Sequence, residues 1–196
     1  MLHLQLISRL PADTRNALLE PLIAQERKED PESLKFGQAE EFGHLMVPED
    51  YVQSKFIDET RARYREQKGV VVLDNWNGAW FTLSSHELRP GERITVTAVR
   101  QYAKAATLGE QLQYLDTQGA VYPSTHGLLL FFDQFRSEMT MNTWYVALDA
   151  ESRLPMMQHQ RCVLMARREL RRSVLKVQSV AHVGPDVRIL CFRQGF

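Results

Sequence analysis

The chain has 196 residues, 44% hydrophobic and 24% charged, a composition able to bury one core, so a single domain over residues 1–196 is expected. Its 24 basic and 24 acidic residues cancel, which argues against a uniformly basic nucleic-acid binder. No stretch approaches the roughly 18 consecutive apolar residues of a membrane span, and residues 1–9 lack the basic start and apolar core of a signal peptide. A soluble cytoplasmic protein with no membrane partner is therefore expected.

Residues 2–8 alternate Leu2, Leu4 and Leu6 with His3, Gln5 and Ile7, the period of a half-buried strand. Asp13 can cap a helix over about 13–29 carrying Leu18, Leu22, Leu19 and Ile23, with Pro21 kinking it. Residues 26–45, dense in charge and broken by Pro31, Gly37 and Gly43, read as a long loop. Pro48-Glu49-Asp50 opens a second helix over about 48–68, with a basic C-terminal end and a stop at Gly69.

From Gly69 onward the chain becomes β-rich. Val70 to Leu73 and Ala79 to Leu83 flank Asn77-Gly78, a strong hairpin signal, and Ile94 to Val99 follows as another strand. The segments 112–122 and 144–154 each set an Asp-led polar tetrad between strand-like flanks, as hairpins do. Leu128 to Phe132, the most hydrophobic run, reads as a central strand buried on both faces. Leu175 to Val183 and Val187 to Cys191 alternate around Gly184-Pro185-Asp186 and read as a terminal hairpin. The fold expected is α+β: a largely antiparallel sheet in 69–196, with helices at about 13–29, 48–68 and 159–172 on one face.

The charge is unevenly placed. Residues 1–150 carry 15 basic against 21 acidic residues and 151–196 carry 9 against 3, giving −6 and +6. The positive end centres on Arg161, Arg167, Arg168, Arg171, Arg172 and Lys176, with Glu169 the only acid among them. As a helix over 159–172, Val163, Ala166 and Leu170 share one face while Arg167/Arg171 and Arg168/Arg172 form rows beside it. The alternative is two strands, Cys162 to Ala166 and Ser173 to Val183, joined by a charged loop.

No glycine-rich phosphate cradle, His-Glu-x-x-His or Gly-x-Ser-x-Gly occurs. His159, Cys162, His182 and Cys191 are chemically suited to zinc, but a compact clip is missing at the second pair, so no metal and no cofactor is expected. Both cysteines sit in apolar runs and read as buried, unpaired thiols. Ser124 and His126 could supply a nucleophile and base, with Asp133 separated from them by a strand length and Glu87 or Glu110 as substitutes. Trp76 and Trp80 bracket the Asn77-Gly78 turn, where an exposed pair could stack on a base or fill a partner's pocket.

Together these features favour a non-enzymatic binding protein whose arginine segment, with Trp76 and Trp80, contacts an acidic protein surface or a nucleic acid. A homodimer pairing basic and acidic ends is a further form of the same idea. The rival is a small hydrolase-like enzyme with its site in loops carrying His86, Glu87, Ser124 and His126.

Overall fold

The chain divides into Met1–Lys35 and Phe36–Phe196. The computed structural model describes residues 36–73, 81–101, 106–182 and 187–195. The expected strand at 2–8 and helix at 13–29, the Asn77-Gly78 turn, and Trp76 and Trp80 lie outside these residues.

The described residues form an α+β fold. Its strands are β1 (Phe36–Met46), β2 (Val70–Val72), β3 (Arg93–Gln101), β4 (Trp144–Ala147), β5 (Met156–Met157), β6 (Gln160–Arg168), β7 (Ser173–Ser179) and β8 (Val187–Gln194). Its helices are α1 (Gln53–Glu66), α2 (Leu108–Thr117) and α3 (Ser124–Phe135). The strands run β1-β3-β8-β4-β6-β7-β2, with β5 paired to β6. Antiparallel pairing predominates, while β8–β4 and β7–β2 are parallel.

The sheet separates two cores. On one face Leu45, Ile94, Val96, Tyr145, Leu164, Leu175 and Phe192 pack against α1 and α3; on the other, Val146, Val163, Met165 and Ile189 meet Leu115 of α2 and Leu154. Helices therefore cover both faces, not one. Alternation along a strand divides the side chains: in β8, Ile189 and Cys191 enter the second core while Leu190 and Phe192 enter the first.

Leu128 to Phe132 is not the central strand but the middle of α3, and each of its five residues is at most 1% exposed. An unbroken apolar run is equally compatible with an all-round buried helix, and here α3 lies between the sheet and α1, with Phe132 edge-on to Tyr64 at 5.4 Å. Gly127 permits this approach: a Cβ there would stand 2.5 Å from Pro123 Cγ and 2.9 Å from Phe192 Cζ. The central position belongs to β4.

Other expectations change for equally local reasons. Residues 112–122 contain most of α2, because Thr107 and Glu110 form a reciprocal capping box and Gly119, at φ +67°, ends the helix instead of turning a hairpin. After β4, Asp149 accepts the Ala150 N–H at 2.6 Å and a 3-10 turn follows at Glu151–Arg153, so 144–154 is not a hairpin. The second half of the expected 26–45 loop is β1, whose register against β3 shifts between Phe36 and Ala39 and again between Glu41 and Gly43, the latter at φ +106°. β8 pairs with β3 and β4 instead of β7, so no terminal hairpin forms, and β2 lies parallel to β7. The second helix begins at Gln53 instead of 48, since a turn closed by Tyr51 N–H to the Pro48 carbonyl at 3.1 Å directs the Tyr51 ring inward.

Cys162 and Cys191 are both free and buried, on opposite faces of the sheet. Burial raises both thiol pKa values, which further suppresses the reactive thiolate. A thiol reagent should label neither residue within minutes in native buffer and both once denaturant is added; rapid labelling of the native protein would contradict the packing. Among the described residues no group of three or more His, Cys, Asp or Glu is placed to hold a metal.

Candidate basic and aromatic binding surface

The arginine segment is a strand, a tight turn and a strand, so the helix over 159–172 is corrected in favour of its alternative. Cys162 to Ala166 are all buried between β4 and β7, and a continuous apolar stretch between two pairing partners satisfies its backbone in the sheet. Arg168 faces Ser173 across the ladder, and the Glu169 N–H donates to the Arg172 carbonyl at 2.7 Å, leaving Leu170 and Arg171 at the tip.

This geometry disperses the arginines. Arg161 lies seven residues from Arg168 along β6, about 23 Å away, and its Nη1 donates to the Leu154 carbonyl at 3.0 Å. Arg167 and Arg168 point to opposite faces. Arg168 reaches the Ser137 and Met139 carbonyls beyond the end of α3, tying the hairpin to the helix. The four-guanidinium row of the helical reading does not exist.

A different cluster forms in its place. Trp144 of β4 is directly opposite Arg167 of β6. The Arg167 guanidinium lies 4.4 Å and the Lys176 ammonium 4.3 Å from the centre of its indole ring, within cation–π range. Glu169 bridges Arg167 and Arg172, the latter at 2.7 Å, and these two hydrogen bonds hold its carboxyl below the usual carboxylate range. Partial burial, then the neighbouring Arg167, lower the Lys176 pKa. Among the described residues neither Lys176 nor Arg171 has a carboxylate partner. Leu170, at the tip, is 81% exposed.

Trp144 is thus the aromatic residue that joins the basic segment. Its place was hidden because cross-strand register, set by pairing between segments more than twenty residues apart, decides which side chain faces Arg167. The surviving candidates are Arg167, Arg171, Arg172 and Lys176, with Trp144 and Leu170 added.

The four residues of the enzyme reading do not line one cleft. His126 is 0% exposed, with the Tyr51 hydroxyl at 2.9 Å from Nδ1 and the Thr82 carbonyl at 3.3 Å from Nε2. The carbonyl can only accept, so the proton sits on Nε2 and Tyr51 donates to Nδ1. Burial lowers the His126 pKa to about 4, leaving a neutral core histidine. Ser124 is buried at the first turn of α3 with φ +52°. Asp133 is engaged by Tyr64 and Arg63, each at 2.5 Å, about 10 Å along the helix from His126. Only His86 and Glu87 share a cleft, lined by residues 85–93, Gln194 and Gly195.

No protein family matches the chain, and no curated protein or solved structure matches it significantly.

Proposed function

We propose that this is a non-enzymatic binding protein that engages an acidic protein surface through the β6–β7 turn and the adjoining sheet face. The observation that supports this most directly is that Arg167 and Lys176 stack on Trp144 while Glu169 bridges Arg167 and Arg172, with Arg171 and the exposed Leu170 at the adjoining turn. Tryptophan and arginine are the residues most enriched where binding energy concentrates, and Trp144 restrains two otherwise flexible cations before any partner arrives. A partner carboxylate meeting Lys176 or Arg171 would displace no ion pair among the described residues. An apolar side chain covering Leu170 would add hydrophobic burial. An acidic protein segment offers both features, whereas a phosphate backbone offers only charge.

The test uses poly-L-glutamate and a random-sequence DNA duplex as probes in fluorescence titrations at low and physiological salt. Wild type should bind polyglutamate with affinity falling as salt rises. Replacing Arg171, Arg172 and Lys176 together with alanine should weaken it by about tenfold or more, at up to about 1 kcal/mol per exposed pair, while leaving thermal unfolding almost unchanged. Equal binding by the triple variant at low salt would overturn the proposal. Tighter binding to the duplex than to polyglutamate would assign the surface to nucleic acid. Self-association lost only in the triple variant would make a second copy the partner.

A further inference from the structure

The cleft beside His86 has a volume of about 770 Å³ and stands apart from the basic surface just described. It lies at the end of the antiparallel pair β3 and β8, between the loop 85–92 and the start of β3. Five charged or titratable side chains line it: His86, Glu87, Arg89, Glu92 and Arg93. They divide into a fixed pair and free groups. Glu92 is fixed: one oxygen is 2.8 Å from His86 Nε2 and the other accepts the Arg89 backbone N–H at 2.8 Å. Because a carboxylate can only accept, His86 donates through Nε2–H, which turns Nδ1 away from Glu92. Among the described residues Nδ1 has no partner, and neither do the guanidinium groups of Arg89 and Arg93 or the carboxylate of Glu87.

We infer that this cleft binds a small zwitterion of the α-amino-acid type, its carboxylate held by Arg89 and Arg93 and its ammonium by Glu87 and the free Nδ1 of His86. The free groups, two cations, one anion and one imidazole nitrogen, match the two poles of such a ligand. A dianion such as phosphate would leave Glu87 facing like charge, and a simple amine would leave both guanidinium groups unanswered. Guanidinium forks suit a planar carboxylate, and an imidazole nitrogen oriented by a carboxylate suits an N–H donor. The buried Leu88 and the ring of Pro90 leave an apolar margin for a side chain.

Saturation-transfer NMR with each of the twenty free amino acids tests this on the full-length protein, with propionate, ethylamine and inorganic phosphate as single-pole controls. At least one amino acid should bind at millimolar concentration or tighter and shift the His86 ring resonances, identified by their absence from a His86→Phe variant. The three controls should bind at least tenfold more weakly. Arg89→Ala combined with Arg93→Ala, both exposed positions, should abolish the transfer signal with an unchanged melting temperature. Alanine replacement of Arg171, Arg172 and Lys176 should leave it intact. Absence of transfer from all twenty, or binding of propionate or phosphate as strong as that of the best amino acid, would overturn the inference.

Discussion

Replacing Phe131 with alanine should destabilise the protein by about 3–5 kcal/mol in denaturant-induced unfolding, a large part of the total stability of an ordinary domain. Phe131 is 0% exposed, with Phe42 edge-on at 4.9 Å, Tyr145 at 5.4 Å and Phe135 at 5.6 Å between ring centres. Truncation removes the buried ring and leaves a cavity that α3, held between α1 and the sheet, cannot collapse to fill. The contact with Tyr145 is the critical one, because it fastens the helix to β4. A double-mutant cycle of Phe131→Ala with Tyr145→Leu should report a coupling of about 0.5–1.5 kcal/mol, the usual range for an aromatic pair. Additive effects would mean that the two rings do not touch. A cost below about 1 kcal/mol for Phe131→Ala would mean that the run 128–132 is not the packed centre of the fold.

Acidification should remove about 3 kcal/mol of stability through His126 between pH 6.5 and pH 4. Burial lowers its pKa from the ordinary 6.5 to about 4, and each pH unit of difference corresponds to about 1.4 kcal/mol. Above pH 6.5 the imidazole is neutral in both folded and unfolded chains and the stabilising contribution is complete. As the pH falls below 6.5 the unfolded chain takes up a proton that the folded protein refuses, so unfolding becomes progressively easier. Below about 4 both states are protonated and the loss levels off. Asp149 acts in the opposite direction: burial raises its pKa despite hydrogen bonds from Ser85 and the Ala150 N–H, so the folded state gains its proton first on acidification. The His126 contribution is isolated by comparison with His126→Gln, which does not titrate. The stability gap between wild type and variant should narrow by about 3 kcal/mol from pH 7 to pH 4. A gap independent of pH would show that His126 protonates freely in the fold.

Some of this molecule is legible in its residues alone. The α+β class, the helix ending at the Gly69 stop and the strand at 94–99 follow from periodicity and punctuation, signals that each act within about ten residues, as does the strand read over 175–183 as far as Ser179, beyond which a 3-10 turn takes over at Val180–His182. Burial of both cysteines follows from apolar neighbours in the same way. So does the displacement of positive charge toward the C-terminal end, which is a count. What sequence reasoning could not supply was the choice between two compatible local structures. Leu128 to Phe132 is apolar enough for a buried strand or a buried helix, and only its position between the sheet and α1 selects the helix. Cys162 to Ala166 could sit on a helix face, but β4 and β7 on either side take its backbone hydrogen bonds and make it a strand. The candidate surface depends on that outcome: strand alternation sends Arg168 toward α3 and Arg167 toward Trp144, and the register between β4 and β6 places the indole beneath two cations. Register is a property of pairs of segments, fixed when the chain packs, and for that reason the arginines were visible in the sequence while their aromatic partner emerged only from the tertiary structure.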